Sequence, residues 1–210
     1  MTETVFYDYW RSSAAYRVRI VLQLKGIAYR TEQVDLGAGE QTGARYRELN
    51  PQGLIPALAI DGHLITQSLA IIDYLDITRG GPAMLPDDPA ARAHTLAQAL
   101  IVAADIHPLN NLRVQLWLRD ELGADQSTRQ RWMAQWMTTG FAALEAQAPE
   151  QGLFGGSVPN LADVCLVPQL YNARRFDIAV DAFPRLLRID AEARAHPAVA
   201  AAAPEAAKPA

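Results

Sequence analysis

The sequence predicts an α/β domain followed by an all-α domain, on three observations. Strand-like and helix-like apolar periods alternate through residues 1–80. A stretch dense in turn residues follows, with Gly80-Gly81-Pro82 and then Leu85-Pro86-Asp87-Asp88-Pro89. After Pro89 the apolar spacing is helical nearly throughout. The expected boundaries are therefore 1–80 for the first domain, 81–89 for a linker and 90–210 for an all-helical domain.

The elements can be taken in order. Thr4–Tyr9 reads as a strand, and Ser13–Lys25 as a helix closed by Gly26. Tyr29–Val34 alternates like a strand, Gly37–Gly43 is loop, and Gln41–Leu49 holds a short helix. Two apolar triplets, Leu58-Ala59-Ile60 and His63-Leu64-Ile65, flank Asp61-Gly62, which is a tight hairpin signal. Over Ser68–Leu75 the residues Leu69, Ile72 and Leu75 share one helical face. The order β-α-β-α-β-β-α makes a compact unit of small-domain size. In the second half, Ala90–Ala104, Leu109–Glu121, Gln126–Ala148, Asn160–Arg175 and Pro184–Ala195 are expected helices, with Trp117, Trp132 and Trp136 packing between them. Asn160 and Asp163 form a capping pattern, so Asp163 is expected to be structural. The Ala- and Pro-rich tail Ala198–Ala210 is expected to be frayed.

Composition excludes several classes. Half of the 210 residues are apolar and a fifth are charged, enough for a sizeable core. The net charge is −4 without a basic run, which argues against nucleic acid or an anionic membrane as partner. The lone Cys165 excludes an intramolecular disulfide and suits a reducing compartment. Met1-Thr2-Glu3-Thr4 has no signal-peptide pattern, and no apolar stretch is long enough for a membrane span, so a cytoplasmic location is expected. Four scattered histidines and one cysteine give no metal-ligand spacing, so no metal is expected.

Three stretches carry chemistry. In Trp10-Arg11-Ser12-Ser13-Ala14-Ala15 two hydroxyls sit where a strand hands over to a helix. Free N–H groups and the helix dipole favour an anion there, including a thiolate, and with Cys165 far away that sulfur must arrive on a ligand. In Asn50-Pro51-Gln52-Gly53-Leu54-Ile55-Pro56, Pro56 opens a strand and cannot donate to its ladder. Composition alone is satisfied by a trans bond. The element order favours a cis Ile55–Pro56 bond that turns the Ile55 main chain toward a peptide-like ligand. In Thr66-Gln67-Ser68, Ser68 is an expected N-cap whose helix could hold a carboxylate.

These stretches resemble the zeta class of the glutathione transferases, and within it the maleylacetoacetate isomerases. Arg11-Ser12-Ser13 with Arg17-Val18-Arg19-Ile20 carries the resemblance, as do Asn50-Pro51 with Ile55-Pro56 and Gln67-Ser68-Leu69-Ala70-Ile71-Ile72. Asp105-Ile106-His107-Pro108-Leu109-Asn110-Asn111 and Leu161-Ala162-Asp163 with Leu166-Val167-Pro168-Gln169 extend it over almost the whole chain. The serine-led motif is specific to the class, whereas the other two N-terminal stretches are shared by most glutathione transferases. The resemblance implies a thioredoxin-like domain followed by a helical domain, a homodimer, and glutathione as cofactor.

Residue by residue, the resemblance puts Ser12 near the glutathione sulfur with Ser13 beside it, and Gln41 and Gln52 near the ends of the peptide. Ile55 pairs with its main chain, Gln67 and Ser68 hold the γ-glutamyl carboxylate, and His107 and Asn111 contribute from the helical domain. Ala14 departs from the family, which often has cysteine there; activity is expected to survive, because that cysteine is not the nucleophile. Arg11, Arg113 and Arg175 are assigned to a dicarboxylate substrate, since Arg pairs carboxylates bidentately, with Arg174 competing for the place of Arg175. Arg17 and Arg19, in the first helix, are expected to be simply solvated or paired, the usual fate of helical Arg.

The implied reaction is isomerisation of maleylacetoacetate to fumarylacetoacetate in tyrosine and phenylalanine breakdown. The thiolate adds to the maleyl double bond, the bond rotates, and the thiolate leaves while cationic groups stabilise the oxyanion formed midway. Alternatives are the isomerisation of maleylpyruvate in gentisate-type degradation, conjugation or dehalogenation of small α-halo acids, and a non-catalytic glutathione-binding protein. Leu112, between Asn111 and Arg113, favours maleylacetoacetate, because a second Arg there would suit the shorter, more anionic maleylpyruvate.

Overall fold

A computed structural model describes residues 3–209. The chain divides into two compact units. One holds everything up to Met84 together with the segment from His196 onward, and the other is Leu85–Ala195. The last segment therefore belongs to the first unit and not, as expected, to the helical one.

In the first unit, β1 (Val5–Asp8), α1 (Ser13–Leu24), β2 (Arg30–Gln33), α2 (Ala44–Leu49), β3 (Ala57–Ile60), β4 (His63–Thr66) and α3 (Ser68–Thr78) follow the expected order. The sheet order is β2-β1-β3-β4. Strand β2 lies parallel to β1, so α1 is the crossover, while β3 runs antiparallel to both β1 and β4. Asp61 and Gly62 both have positive φ, 53° and 80°, the primed turn that matches strand twist. Gly26 follows α1 at φ 62°, as a closing glycine should.

Helix α1 is buried continuously from Ser13 to Leu22. It packs on α3 and on a further helix, α10 (Pro197–Ala201), which α11 (Pro204–Ala207) follows. The tail is thus helical over most of its length through Ala207, contrary to the fraying expected, and Ala210 lies outside the described residues. His196 Nδ1 caps α10 by accepting the Ala198 N–H at 3.2 Å, and Val199 and Ala202 are each 1% exposed. Small alanines let α10 approach α1 closely, so a low-complexity composition conceals a packing face. Of the two fates expected for Arg17 and Arg19, the structure shows pairing: Arg19 pairs with Asp8 at 2.7 Å and Arg17 donates to Ser68, and both are 2% exposed because the side of α1 that would meet solvent meets α10 and α3 instead.

The helical unit comprises α4 (Pro89–Leu100), α5 (His107–Asn110), α6 (Leu112–Asp120), α7 (Gln126–Gln147), α8 (Leu161–Arg175) and α9 (Pro184–Ala195). Between α4 and α5 the chain widens into a π-helical turn, Ile101–Ile106. Pro108 has no N–H to continue the ladder, and a wider turn accommodates it. Gly140 of α7 approaches closely there: a Cβ on it would collide with the Ile106 side chain. The expected helix Leu109–Glu121 is broken at Asn111, whose Oδ1 accepts the Arg113 N–H at 3.1 Å and starts α6 anew.

Helix α8 is buried almost all round and forms the centre of this unit. Its start is the expected capping box. Asp163 accepts N–H groups from Phe154, Gly155 and Asn160 at 2.9–3.0 Å, and burial pushes its carboxyl pKa up. Trp132 Nε1 donates to the Leu109 carbonyl at 2.7 Å and meets Trp136 edge-on. Trp117, expected between helices, is 55% exposed: the buried positions of α6 are Gln115 and Leu118, and Trp117 lies off that face. Among the described residues no helix is long and apolar enough to cross a membrane.

Candidate functional site

Ser12 is the N-cap of α1, with extended backbone and its Oγ accepting the Ala15 N–H at 3.2 Å. A hydroxyl that accepts through oxygen still has its own hydrogen to donate. Capping and a partnership with a ligand thiolate are therefore compatible in one residue. The Ser12 N–H donates to the Tyr9 carbonyl at 2.8 Å, making the strand-to-helix junction a tight turn. Ser13 is the first helical residue and is buried. Arg11 is exposed, its guanidinium carbon 4.2 Å above the Trp10 ring.

At the start of α3 the expectation needs correcting. Gln67, not Ser68, is the N-cap residue, at φ 70° and ψ 119°, and its side chain caps nothing. Ser68 is the first helical residue, and its Oγ accepts from Arg17 Nη1 at 3.3 Å. A positive φ on a non-glycine residue costs roughly 1–3 kcal/mol, a strain that concentrates at functional sites. Gln67 Nε2 donates to Gln52 Oε1 at 2.8 Å, so two predicted site residues meet.

Gln41 lies in a short 3-10 turn, Glu40–Thr42, and its Oε1 is buried with no hydrogen-bond partner among the described residues. Gly53, at φ 62°, presses against this turn: a Cβ there would sit 2.8 Å from the Gln41 carbonyl oxygen. The Leu54 carbonyl accepts from the Tyr46 hydroxyl at 2.8 Å and from Asn50 Nδ2 at 2.7 Å. That pair of donors fixes the peptide leading into Ile55, and burial pushes the Tyr46 phenol up to about 12. The Ile55–Pro56 bond is cis, as the element order favours. Within the first unit, then, Gln52 joins Gln67, and the Gln41 turn joins the loop before Ile55.

In the helical unit, His107 opens α5 directly after the widened turn. Asn111 is engaged as the cap of α6. Arg113 is exposed. Arg174 pairs with the fully buried Asp190 at 2.5 Å, and Arg194 reaches the same carboxylate at 3.0 Å, which makes Arg174 a structural residue. Arg175 lies 4.6 Å over the Phe176 ring. Among the described residues no cluster of His, Cys, Asp and Glu could hold a metal.

Arg17, expected only to be solvated or paired, joins the candidate site residues through Ser68. The available signal was its spacing, one helical turn after Ser13 and so on the same face of α1. Its contact with Ser68 places a buried cation beside the start of α3.

Comparison with known proteins agrees with this arrangement. Residues 11–78 match the family described as glutathione S-transferase, N-terminal domain. Maleylacetoacetate isomerase of Rhizobium meliloti is 47% identical over 99% of this chain and 99% of its own. The solved maleylacetoacetate isomerase of Methylobacterium extorquens, with bound malonate and glutathione, superposes with a TM-score of 0.93 at 39% identity over 98% of this chain and all of the other. The holo structure of maleylpyruvate isomerase, a bacterial zeta-class glutathione transferase, gives 0.93 at 40% identity over 96% and 97%. With a glutathione transferase sheet, a serine at the N-cap of its first helix and full-length relatives of this kind, the chain belongs to the zeta class of the glutathione transferases.

Proposed function

We propose that the chain catalyses the glutathione-dependent isomerisation of maleylacetoacetate to fumarylacetoacetate, a step of tyrosine and phenylalanine breakdown. The observation that carries this reading is Ser12, a capping hydroxyl at a helix N-terminus that keeps a hydrogen to donate. The residues of the first unit fit glutathione. Gln41 offers a buried acceptor without a hydrogen-bond partner among the described residues, and Gln67 is held in a strained backbone. Ser68 sits at a helix start beside the Arg17 cation.

Bound glutathione would supply the thiolate needed for reversible addition to the maleyl double bond, the chemistry that lets that bond rotate. Ser12 donates to the sulfur, and the dipole of α1 favours its ionised form. Gln67 and Ser68 orient the γ-glutamyl carboxylate, and Arg17 supplies charge behind Ser68. Ile55 pairs with the peptide main chain, and Gln41 and Gln52 receive its ends. His107 and Asn111 contribute glutathione contacts. Arg11, Arg113 and Arg175 bind the substrate's carboxylate and developing oxyanion, while Arg174 holds Asp190.

Maleylpyruvate is the rival substrate, supported by the close similarity to a maleylpyruvate isomerase. Leu112, exposed between Asn111 and Arg113, adds no cation and so favours maleylacetoacetate. The chain is read as a cytoplasmic homodimer; exposed Ile77 and Trp117 support burial against a second copy, and buried Cys165 suits a reducing compartment. The test is turnover of both substrates side by side, with and without glutathione. Turnover without glutathione would overturn the mechanism, and faster turnover of maleylpyruvate would exchange the substrates. Unchanged kinetics in Arg11→Ala and Arg175→Ala would remove those arginines from the site.

A further inference from the structure

The Arg19 guanidinium shares its N–H groups among three parts of the first unit. Nη1 donates to both Asp8 carboxylate oxygens at 2.7 and 2.8 Å, at the end of β1. Nη2 donates to the Trp10 carbonyl at 2.8 Å, inside the turn that ends at Ser12. Nε donates to the Ala202 carbonyl at 3.0 Å, at the end of α10. Asp8 and Arg19 are 1% and 2% exposed. The tail touches the same turn again, with the Lys208 ammonium 5.5 Å from the centre of the Trp10 ring that also carries Arg11.

The Trp10 carbonyl belongs to the peptide joining Trp10 to Arg11. Holding that oxygen fixes the peptide plane between the end of β1 and the Ser12 N–H. The Tyr9-to-Ser12 hydrogen bond spans the same turn. The fork of Arg19 is rigid, so Asp8, Trp10 and Ala202 locate one another. If α10 moves, the guanidinium loses one of three anchors that set its plane.

We infer that Arg19 is a positioning residue for the sulfur site, and that the docked C-terminal segment completes its grip on the Trp10–Arg11 peptide. This rests on the proposed reading of Ser12. The segment from His196 on is then a working part of the catalytic junction, although none of its residues carries the chemistry. Lys208 and Arg11 both lie against the Trp10 ring of this turn, and the Asp8 carboxylate faces Arg19.

Two full-length variants test it. Arg19→Lys keeps a cation for Asp8 but loses the fork. Val199→Asp places a charge in the α10 packing face and leaves Arg19 intact. Two readouts are taken on protein whose circular dichroism shows it folded. The first is hydrogen–deuterium exchange at the Ser12 amide without glutathione; the second is ultraviolet titration of the bound glutathione thiol. Both variants are expected to speed that exchange, and to raise the bound-thiol pKa by about one unit, a tenfold loss of thiolate at a pH below it. A purely structural role would lower the melting temperature and leave the bound-thiol titration unmoved. Wild-type protection at the Ser12 amide and a wild-type thiol titration in folded Val199→Asp would overturn the inference. If the wild-type protein binds no glutathione, the functional reading of Ser12 fails, and the exchange measurement alone then decides whether α10 holds the turn.

Discussion

Arg17 Nη1 donates to Ser68 Oγ at 3.3 Å, joining the interior of the first helix to the first residue of α3. A buried cation there strengthens any carboxylate contact at Ser68, because the surrounding protein screens it little. Replacing it with Met keeps most of the volume and removes the charge. Arg17→Met is expected to raise the KM for glutathione about tenfold, the scale of one charged hydrogen bond, with a smaller effect on kcat. Initial rates at varied glutathione concentration measure this, and an unchanged KM would remove Arg17 from the site.

The two serines should separate cleanly. Ser12→Ala loses a helix cap, costing about 1 kcal/mol, and loses the donor to sulfur. Its kcat/KM is expected to fall roughly 100-fold, as when one preorganised donor is removed from an active site. Ser13→Ala should change both quantities little. Thermal unfolding together with isomerase kinetics on the two variants checks the assignment, and equal losses in both would reject it.

Tyr46 gives a prediction in pH. Burial holds its phenol at about 12, above the ordinary 10.0. Because the folded-state value is raised, the stabilisation is complete below pH 10 and is lost as pH rises through about 12. Tyr46→Phe removes one of two donors to the Leu54 carbonyl and should cost about 1 kcal/mol at neutral pH. The stability gap between variant and wild type should narrow above pH 10, read by urea unfolding at several pH values. A gap that stays constant into strong alkali would contradict the buried phenol.

Gly140 predicts a packing conflict. Gly140→Ala drives a methyl group into Ile106 and should destabilise the protein by about 1–3 kcal/mol. Adding Ile106→Ala removes the colliding atoms, so the double variant should lose less than the two single losses summed. Strict additivity in the unfolding free energies would show that the two residues do not press on each other.

Element order, the hairpin at Asp61-Gly62 and the capping box at Asn160 and Asp163 were legible in the sequence because their causes are local. Turn geometry and caps act within a few residues. Pairing is an ordinary fate for helical arginines, but the burial of Arg17 and Arg19 is not legible, because a single helix pattern does not show what covers it. What covers α1 comes from the far end of the chain. The widened turn before His107 was missed for a related reason: Pro108 announces a disturbance, but its form depends on the close approach of Gly140. At Ser68 a general preference for serine caps outweighed a backbone strain at Gln67 that no local pattern encodes. The Ser12 junction, the Ile55–Pro56 edge and the start of α3 are legible in local patterns and the remaining candidate site residues through resemblance; how Arg17, Gly53 and Tyr46 hold several of them is set by contacts distant in sequence or by backbone approach.

The split of the first unit between the two ends of the chain has a consequence for biosynthesis. The helical unit is one uninterrupted stretch, Leu85–Ala195, and its whole sequence is available before the last segment has been made. The first unit starts earlier and finishes later. While a ribosome is still adding the segment from His196 on, α1 has no α10 against it, and the Arg19 Nε has no Ala202 carbonyl to meet. The unit that begins before the helical one thus closes after it, and a nascent chain stalled before the segment from His196 would present an open flank of α1 to chaperones and to other chains.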